Sequence, residues 1–185
     1  MAEKNAIKEG AKRAQTFSAM HKGSGLQYFC TTVDIADGNV SLIKKVMDGA
    51  NNDKKAKQWG KYFLSSNDTT LVGWGYVPEE LAKNEQKQED QPSKPSITIN
   101  EWTEALLSYH MVHDMKKEYL VDENNAFYKG FVLTMDPDRE QFAFKVGDEL
   151  VQRSIDFLRQ KGLLKKSQEN ESDDEDYAAS VGIEW

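Results

Sequence analysis

The most closely spaced histidines of the chain are His110 and His113, three residues apart and followed by Asp114. On a helix this spacing places both rings on one face, where they can share a metal ion. A closed zinc site needs four ligands and a catalytic one usually three, and the other candidates, His21 and Cys30, are distant in sequence. A metal-binding protein or small enzyme therefore stays an alternative hypothesis. The simpler interpretation is a helix end with one buried and one exposed histidine.

Cys30, Asp34 and Asp136 are the other residues whose chemistry could support catalysis. A reactive thiol needs an electropositive, accessible setting, whereas Cys30 lies inside an apolar run and resembles a small hydrophobic residue. Asp34 and Asp136 follow predicted strands, where catalytic carboxylates occur, but turns and caps use aspartate equally well. Since these residues form no recognisable catalytic set, we predict a non-enzymatic protein with no catalytic residue, metal or cofactor.

Charge is distributed very unevenly along the 185 residues. The chain has 31 acidic and 24 basic residues, and residues 169–185 hold seven of the acids but no lysine or arginine. Residues 1–168 are therefore balanced, and residues 169–185 account for the net charge of −7. A block of like charge repels itself and buries little apolar surface. We predict a disordered acidic C-terminal tail over residues 166–185.

The same tail contains a candidate binding motif for another protein. Large side chains, Tyr177, Ile183 and Trp185, follow or interrupt the acids, and Glu184 lies within the final group. Acids steer the encounter with a basic surface, while large side chains fill pockets and supply most of the affinity. The expected partner is a protein with a basic surface and an apolar pocket. Ser172, which is followed by Asp173, Asp174 and Glu175, is a phosphorylation candidate. The alternative is an inert, solubilising tail.

The N-terminal segment, residues 1–22, is predicted to form a basic amphipathic helix. Its cations are Lys4, Lys8, Lys12, Arg13 and Lys22. An RNA- or ribosome-associated function through this helix is a further alternative, because phosphates are bound by clustered cations. The net negative charge of the chain argues against a nucleic-acid partner. The helix can instead attract the acidic tail.

Composition favours a cytoplasmic protein. A single cysteine cannot form an internal disulfide, which fits a reducing compartment. No apolar run approaches the roughly 18–20 residues that a membrane span requires. We therefore predict a cytoplasmic adaptor or assembly protein with no membrane span.

Hydrophobic periodicity divides the rest of the chain into helices and strands. Helices are predicted over residues 3–20, 40–50, 98–113 and 141–161, and strands over 26–33, 61–64, 70–77, 118–121 and 127–135. A polar stretch over residues 79–96 is predicted to be a mobile loop. This order indicates a single α+β domain over residues 23–165, with a mostly antiparallel sheet and helices packed against it.

Local signals define several element ends. Asn39 is a predicted helix N-cap, Thr98 and Glu101 have the spacing of a capping box, and Gly162 is a predicted helix stop. Gly73 and Gly75 alternate with large residues in one predicted strand. Glycine at such positions indicates a bulge or the close approach of another backbone.

Overall fold

The computed structural model describes residues 1–20, 26–82, 95–136 and 142–164. The helices are α1 (Ala2–Met20), α2 (Val40–Asn51), α3 (Glu79–Ala82), α4 (Ile99–Leu107) and α5 (Ala143–Gln160). The strands are β1 (Tyr28–Thr32), β2 (Gly60–Ser66), β3 (Thr70–Tyr76), β4 (Lys116–Val121) and β5 (Tyr128–Thr134). Short 3-10 turns occupy Asp34–Ala36, Ala56–Gln58 and His110–Val112.

The five strands form one sheet in the order β1-β2-β3-β5-β4. β1 and β2 run parallel, because α2 carries the chain back to the start of the sheet between them, and every other pair is antiparallel. The β2–β3 and β4–β5 pairs are the two predicted hairpins. For the described residues this confirms a single α+β domain with a mostly antiparallel sheet.

Helices α4 and α5 cover one face of the sheet. Trp102 of α4 and Leu150 of α5 pack with Tyr62 and Phe131 of the strands, and all four are fully buried. The indole Nε1 of Trp102 donates a hydrogen bond of 2.8 Å to Ser154 Oγ, which ties α4 to α5 inside the core. A buried polar pair of this kind satisfies both groups and fixes the position of the helices.

The opposite face is covered by α1 and α2. Ile43 and Met47 of α2 pack with Phe63 and Trp74 of the sheet. The Nζ of Lys44 lies 4.4 Å from the centroid of the Trp74 ring and covers its outer side. Since a strand directs alternate residues to opposite faces, the neighbours Tyr62 and Phe63 belong to different cores.

Helix α1 joins this second core through a very close crossing with α2. A Cβ added to Gly10 would collide with the Val46 carbonyl, and one added to Gly49 would collide with the Ile7 carbonyl. Glycine is therefore required at both positions for the two backbones to approach. Helix α1 ends at Met20, so the last two residues of the predicted helix, 21 and 22, lie outside the described residues.

Gly73 and Gly75 of β3 make room for aromatic rings. A Cβ at Gly75 would overlap the Tyr62 ring, and one at Gly73 would overlap the Phe131 ring. The expected close approach of another backbone is therefore wrong, because at both glycines the approaching group is a cross-strand aromatic side chain. The rings supply the apolar surface that the glycines lack.

Two predicted segments differ in detail. Residues 79–82 of the predicted mobile loop form the short helix α3, and residues 83–94 lie outside the described residues. The helix predicted over 98–113 ends at Leu107, and Tyr109 is extended, with φ −66° and ψ 137°. The predicted helix is too long because a 3-10 turn follows α4. Residues three apart lie on one side of such a turn, so the buried Val112 and Met115 have a spacing that also suits an α-helix.

Candidate functional sites

His110 begins the 3-10 turn after α4 and His113 directly follows it, and both side chains are exposed. His113 Nδ1 is 3.0 Å from Asp114 Oδ1, while His110 packs on the ring of Tyr109. The expectation of one buried histidine is wrong, because the turn directs Val112 inward and leaves both histidines in solvent. In the part of the chain that the structure describes, no three His, Cys, Asp or Glu side chains are placed to hold a metal ion. His21 lies outside that part.

Cys30 is a half-buried residue of β1 that packs against the core of α4 and α5. Burial raises the pKa of its thiol to about 12, and a hydrogen bond with Ser154 acts in the opposite direction. The thiol therefore stays protonated near neutral pH, whereas a nucleophile needs the thiolate. This environment is that of a packed side chain.

Asp34 and Asp136 follow β1 and β5, whose carboxyl ends lie at the same edge of the sheet. Strands β2 and β3 separate them, which amounts to three strand spacings, roughly 14 Å. Asp34 opens the 3-10 turn Asp34–Ala36. At this separation the two carboxylates cannot act on one substrate bond as an acid–base pair.

Lys61 of β2 is the titratable residue that the sequence interpretation missed. It is fully buried, and its Nζ donates hydrogen bonds of 2.5 Å to Asn51 Oδ1 and to the Ala56 carbonyl. These contacts join the strand to the end of α2 and to the 3-10 turn after it. A signal was present in the sequence: Lys61 and Phe63 are two apart in a strand and so share one face.

Aromatic residues enclose this lysine from the sheet. The Nζ of Lys61 lies 5.1 Å from the centroid of the Tyr76 ring, and Tyr76 stands beside Tyr128 at 4.6 Å between centroids. The hydroxyl of Tyr128 accepts a hydrogen bond of 2.9 Å from Asn51 Nδ2. The network therefore runs from β2 through α2 to β5.

Burial lowers the pKa of Lys61 to about 7, and the negative charge of Asp53 acts in the opposite direction. Amines with such pKa values serve as bases or Schiff-base nucleophiles in some enzymes. Here Asn51, Ala56 and the ring of Tyr76 cover the amine, and the side chain is fully buried. Its evident effect is to hold the α2–β2 connection against the sheet.

Two groups of large apolar side chains are exposed on the domain. At the start of α5, Phe142 and Phe144 are 51% and 55% exposed and their rings are 5.7 Å apart. On β4, Tyr119 and Val121 are 47% and 67% exposed. Exposed apolar side chains that lie together are typical of interaction surfaces.

Charged groups surround the exposed ring of Tyr119. Its hydroxyl donates a hydrogen bond of 3.2 Å to Glu104 Oε2 of α4. Lys129 of β5 lies 4.9 Å above the ring and is 3.3 Å from Glu104 Oε1. We call Tyr119, Val121, Lys129 and Glu104 the β4 surface.

The predicted N-terminal basic patch consists largely of separate surface charges. Lys4, Lys8 and Lys12 are exposed, while Arg13 forms an ion pair of 2.8 Å with Glu9. Lys22 lies outside the described residues.

The predicted partner-binding and phosphorylation residues of the tail all lie outside the described residues. These are Ser172, Tyr177, Ile183, Glu184 and Trp185.

Comparison with protein-family models gives no match, and comparison with curated proteins gives none either. Among the described residues, no helix has the length and apolar character needed to cross a membrane.

Proposed function

We propose that this chain is a non-enzymatic, cytoplasmic adaptor or assembly protein whose residues 169–185 bind another protein. The observation that carries the proposal is the segregation of charge. All seven surplus negative charges fall within seventeen residues, next to Tyr177, Ile183 and Trp185. A domain of balanced charge with one detachable charged segment is typical of proteins that recruit partners through a short motif.

The chemistry of the segment defines the partner. Seven acids favour a basic surface and raise the rate of encounter, and this contribution weakens with added salt. The isoleucine and the tryptophan need an apolar pocket, which supplies affinity that salt does not remove. Phosphorylation of Ser172 would add about −1.5 to −2 charges and strengthen the electrostatic part.

The domain offers a second place for contact. The exposed pair Phe142 and Phe144 supports the proposal, because neighbouring aromatic side chains left in solvent are typical of interaction surfaces. An adaptor needs two such regions, one on the domain and one on the tail.

Affinity capture with the full chain and with a chain lacking residues 169–185 tests the proposal. We expect at least one protein to be retained only by the full chain, and to bind a synthetic peptide of residues 169–185 directly. Ile183→Ala with Trp185→Ala should weaken that binding tenfold or more, since each buried large side chain contributes about 1.5–3 kcal/mol. The matched control, Ala178→Ser with Ala179→Ser, keeps the charge and should bind normally.

Identical capture profiles for the full and shortened chains would refute the motif. Binding that depends on the acids but is unaffected by the double alanine variant would reduce the tail to a non-specific electrostatic segment.

A further inference from the structure

Strand β4 forms one edge of the sheet and is bonded on one side only. It pairs with β5 over Lys116–Val121, and among the described residues no strand pairs with its outer side. The outward N–H and C=O groups of such a strand are a template for one more strand.

The side chains beside this edge are suited to an apolar strand. Tyr119 and Val121 point to the same face and are about half or more exposed, while Lys117 on that face reaches the Leu107 carbonyl with its Nζ at 3.1 Å. A neighbouring strand would place alternate residues next to this pair at about 5 Å.

The tail contains a segment with the required alternation. In Val181–Trp185, the large residues Val181, Ile183 and Trp185 alternate with Gly182 and Glu184. β-Branched and aromatic residues at a period of two are typical of a strand with one apolar face.

The end of α5 is connected with β4 through α4. Lys161, just after α5, is 3.2 Å from Glu101 of α4, and one turn further along α4 Glu104 accepts the hydrogen bond from Tyr119. The end of α5 is therefore connected with the β4 surface by these two side-chain contacts and by the turn of α4 between Glu101 and Glu104. The 17 Cα–Cα steps from Leu164 to Val181 span roughly 55–60 Å when extended, which exceeds the combined length of these two contacts and one helical turn.

Charge also favours this arrangement. β4 begins with Lys116 and Lys117, and Lys129 stands above Tyr119. These three lysines attract the acidic tail as a whole, whereas the apolar residues set the register of the added strand, which places Glu184 beside Leu120.

We propose that Val181–Trp185 of this same chain pairs with the outer edge of β4 as a sixth strand, with Ile183 and Trp185 beside Tyr119 and Val121. The pairing would cover Ile183 and Trp185, which the proposed function assigns to a partner protein, and would therefore compete with that partner. This competition rests on the proposed function, whereas the pairing itself does not. Because the segment and β4 belong to one chain, the effective concentration of the segment at β4 is in the millimolar range. A segment with an intrinsic dissociation constant near 0.1 mM would thus be about 90% bound, and a partner must compete for it.

Hydrogen exchange of the β4 amides tests the pairing in the full chain. We expect the outward amides of Lys116–Val121 to exchange about tenfold more slowly in the full chain than in a chain lacking residues 169–185. Ile183→Pro, which removes a ladder donor, should exchange like the shortened chain. The matched control Ala178→Pro, outside the pairing segment, should exchange like the full chain. The inward amides of β5 serve as an internal reference.

Equal β4 exchange in the full and shortened chains would overturn the proposal. Protection that increases with protein concentration would also overturn it, because the strand would then come from a second copy. The two proposals can fail separately. Partner capture that depends on the tail, with β4 exchange that does not, would refute only the pairing, and tail-dependent β4 exchange without partner capture would refute only the proposed function.

Discussion

At the scale of single residues, Lys61 combines an ionisable amine with complete burial. Two neutral oxygens accept its hydrogen bonds, the ring of Tyr76 faces it from β3, and Asp53 is the acid whose charge acts on it. Desolvation of the ammonium therefore exceeds the attraction of the carboxylate, and the native state favours the neutral amine.

We predict that the free energy of unfolding rises between pH 7 and pH 9.5 because of Lys61. The folded pKa is about 7, below the unfolded value of about 10.4, so the unfolded chain binds the additional proton throughout this range. The gain is at most roughly 1.4 kcal/mol per pH unit. Below pH 7 both states are protonated and the full cost of burying the charge remains.

Urea unfolding at several pH values measures this contribution. Lys61→Met should flatten the rise, whatever its effect on absolute stability, while Lys57→Met in the exposed part of the neighbouring turn should keep it. A rise that persists in Lys61→Met would assign it to other groups. The range stops at pH 9.5 because burial raises the pKa of Tyr28 to about 12, and ionisation of tyrosines in the unfolded chain then begins to destabilise the fold.

At the scale of elements, the crossing of α1 and α2 reverses a usual rule. Alanine normally stabilises a helix interior by about 0.5–1 kcal/mol relative to glycine. We predict that Gly49→Ala instead destabilises the domain by more than about 1 kcal/mol, because its Cβ meets the rigid Ile7 carbonyl of α1. Thermal or urea unfolding measures the difference.

Gly147 of α5 is the matched control for this substitution. Its added Cβ would lie 3.4 Å from Leu71 Cδ1, an ordinary contact, so Gly147→Ala should stabilise the domain. If Gly49→Ala raised the free energy of unfolding as Gly147→Ala is expected to do, α1 would be able to move away from α2 at little cost.

The elements also show what sequence could and could not predict. The caps were predictable because they are local: Asn39 accepts from Leu42 N at 3.0 Å, and the Thr98–Glu101 capping box is complete. The end of α4 was not, because 3-10 and α-helical spacing both bury Val112. The position of β5 between β3 and β4 depends on pairing between distant strands, which periodicity does not encode. Periodicity places Lys61 on the face of Phe63, but its complete burial depends on how the end of α2 and the turn after it fold onto the sheet.

At the scale of the whole molecule, the sheet separates two apolar cores. Ile43 lies in the core of α1 and α2 and Ile97 in the core of α4 and α5, and each is at most 1% exposed. We predict that Ile43→Val and Ile97→Val each cost about 0.5–1.5 kcal/mol. Because they share no partners, the double variant should equal the sum within about 0.5 kcal/mol in urea unfolding. A larger discrepancy would mean that the sheet transmits strain between its faces.

Each of these cores contains one nearly inaccessible tryptophan. Trp102 is fully buried with its indole N–H bonded to Ser154, and Trp74 is 2% exposed beneath the ammonium group of Lys44. One chromophore thus experiences a neutral hydrogen bond and the other a nearby positive charge. With single-tryptophan variants, the emission spectrum becomes a separate intrinsic reporter for each layer, so that loosening on one side of the sheet can be observed without an added label.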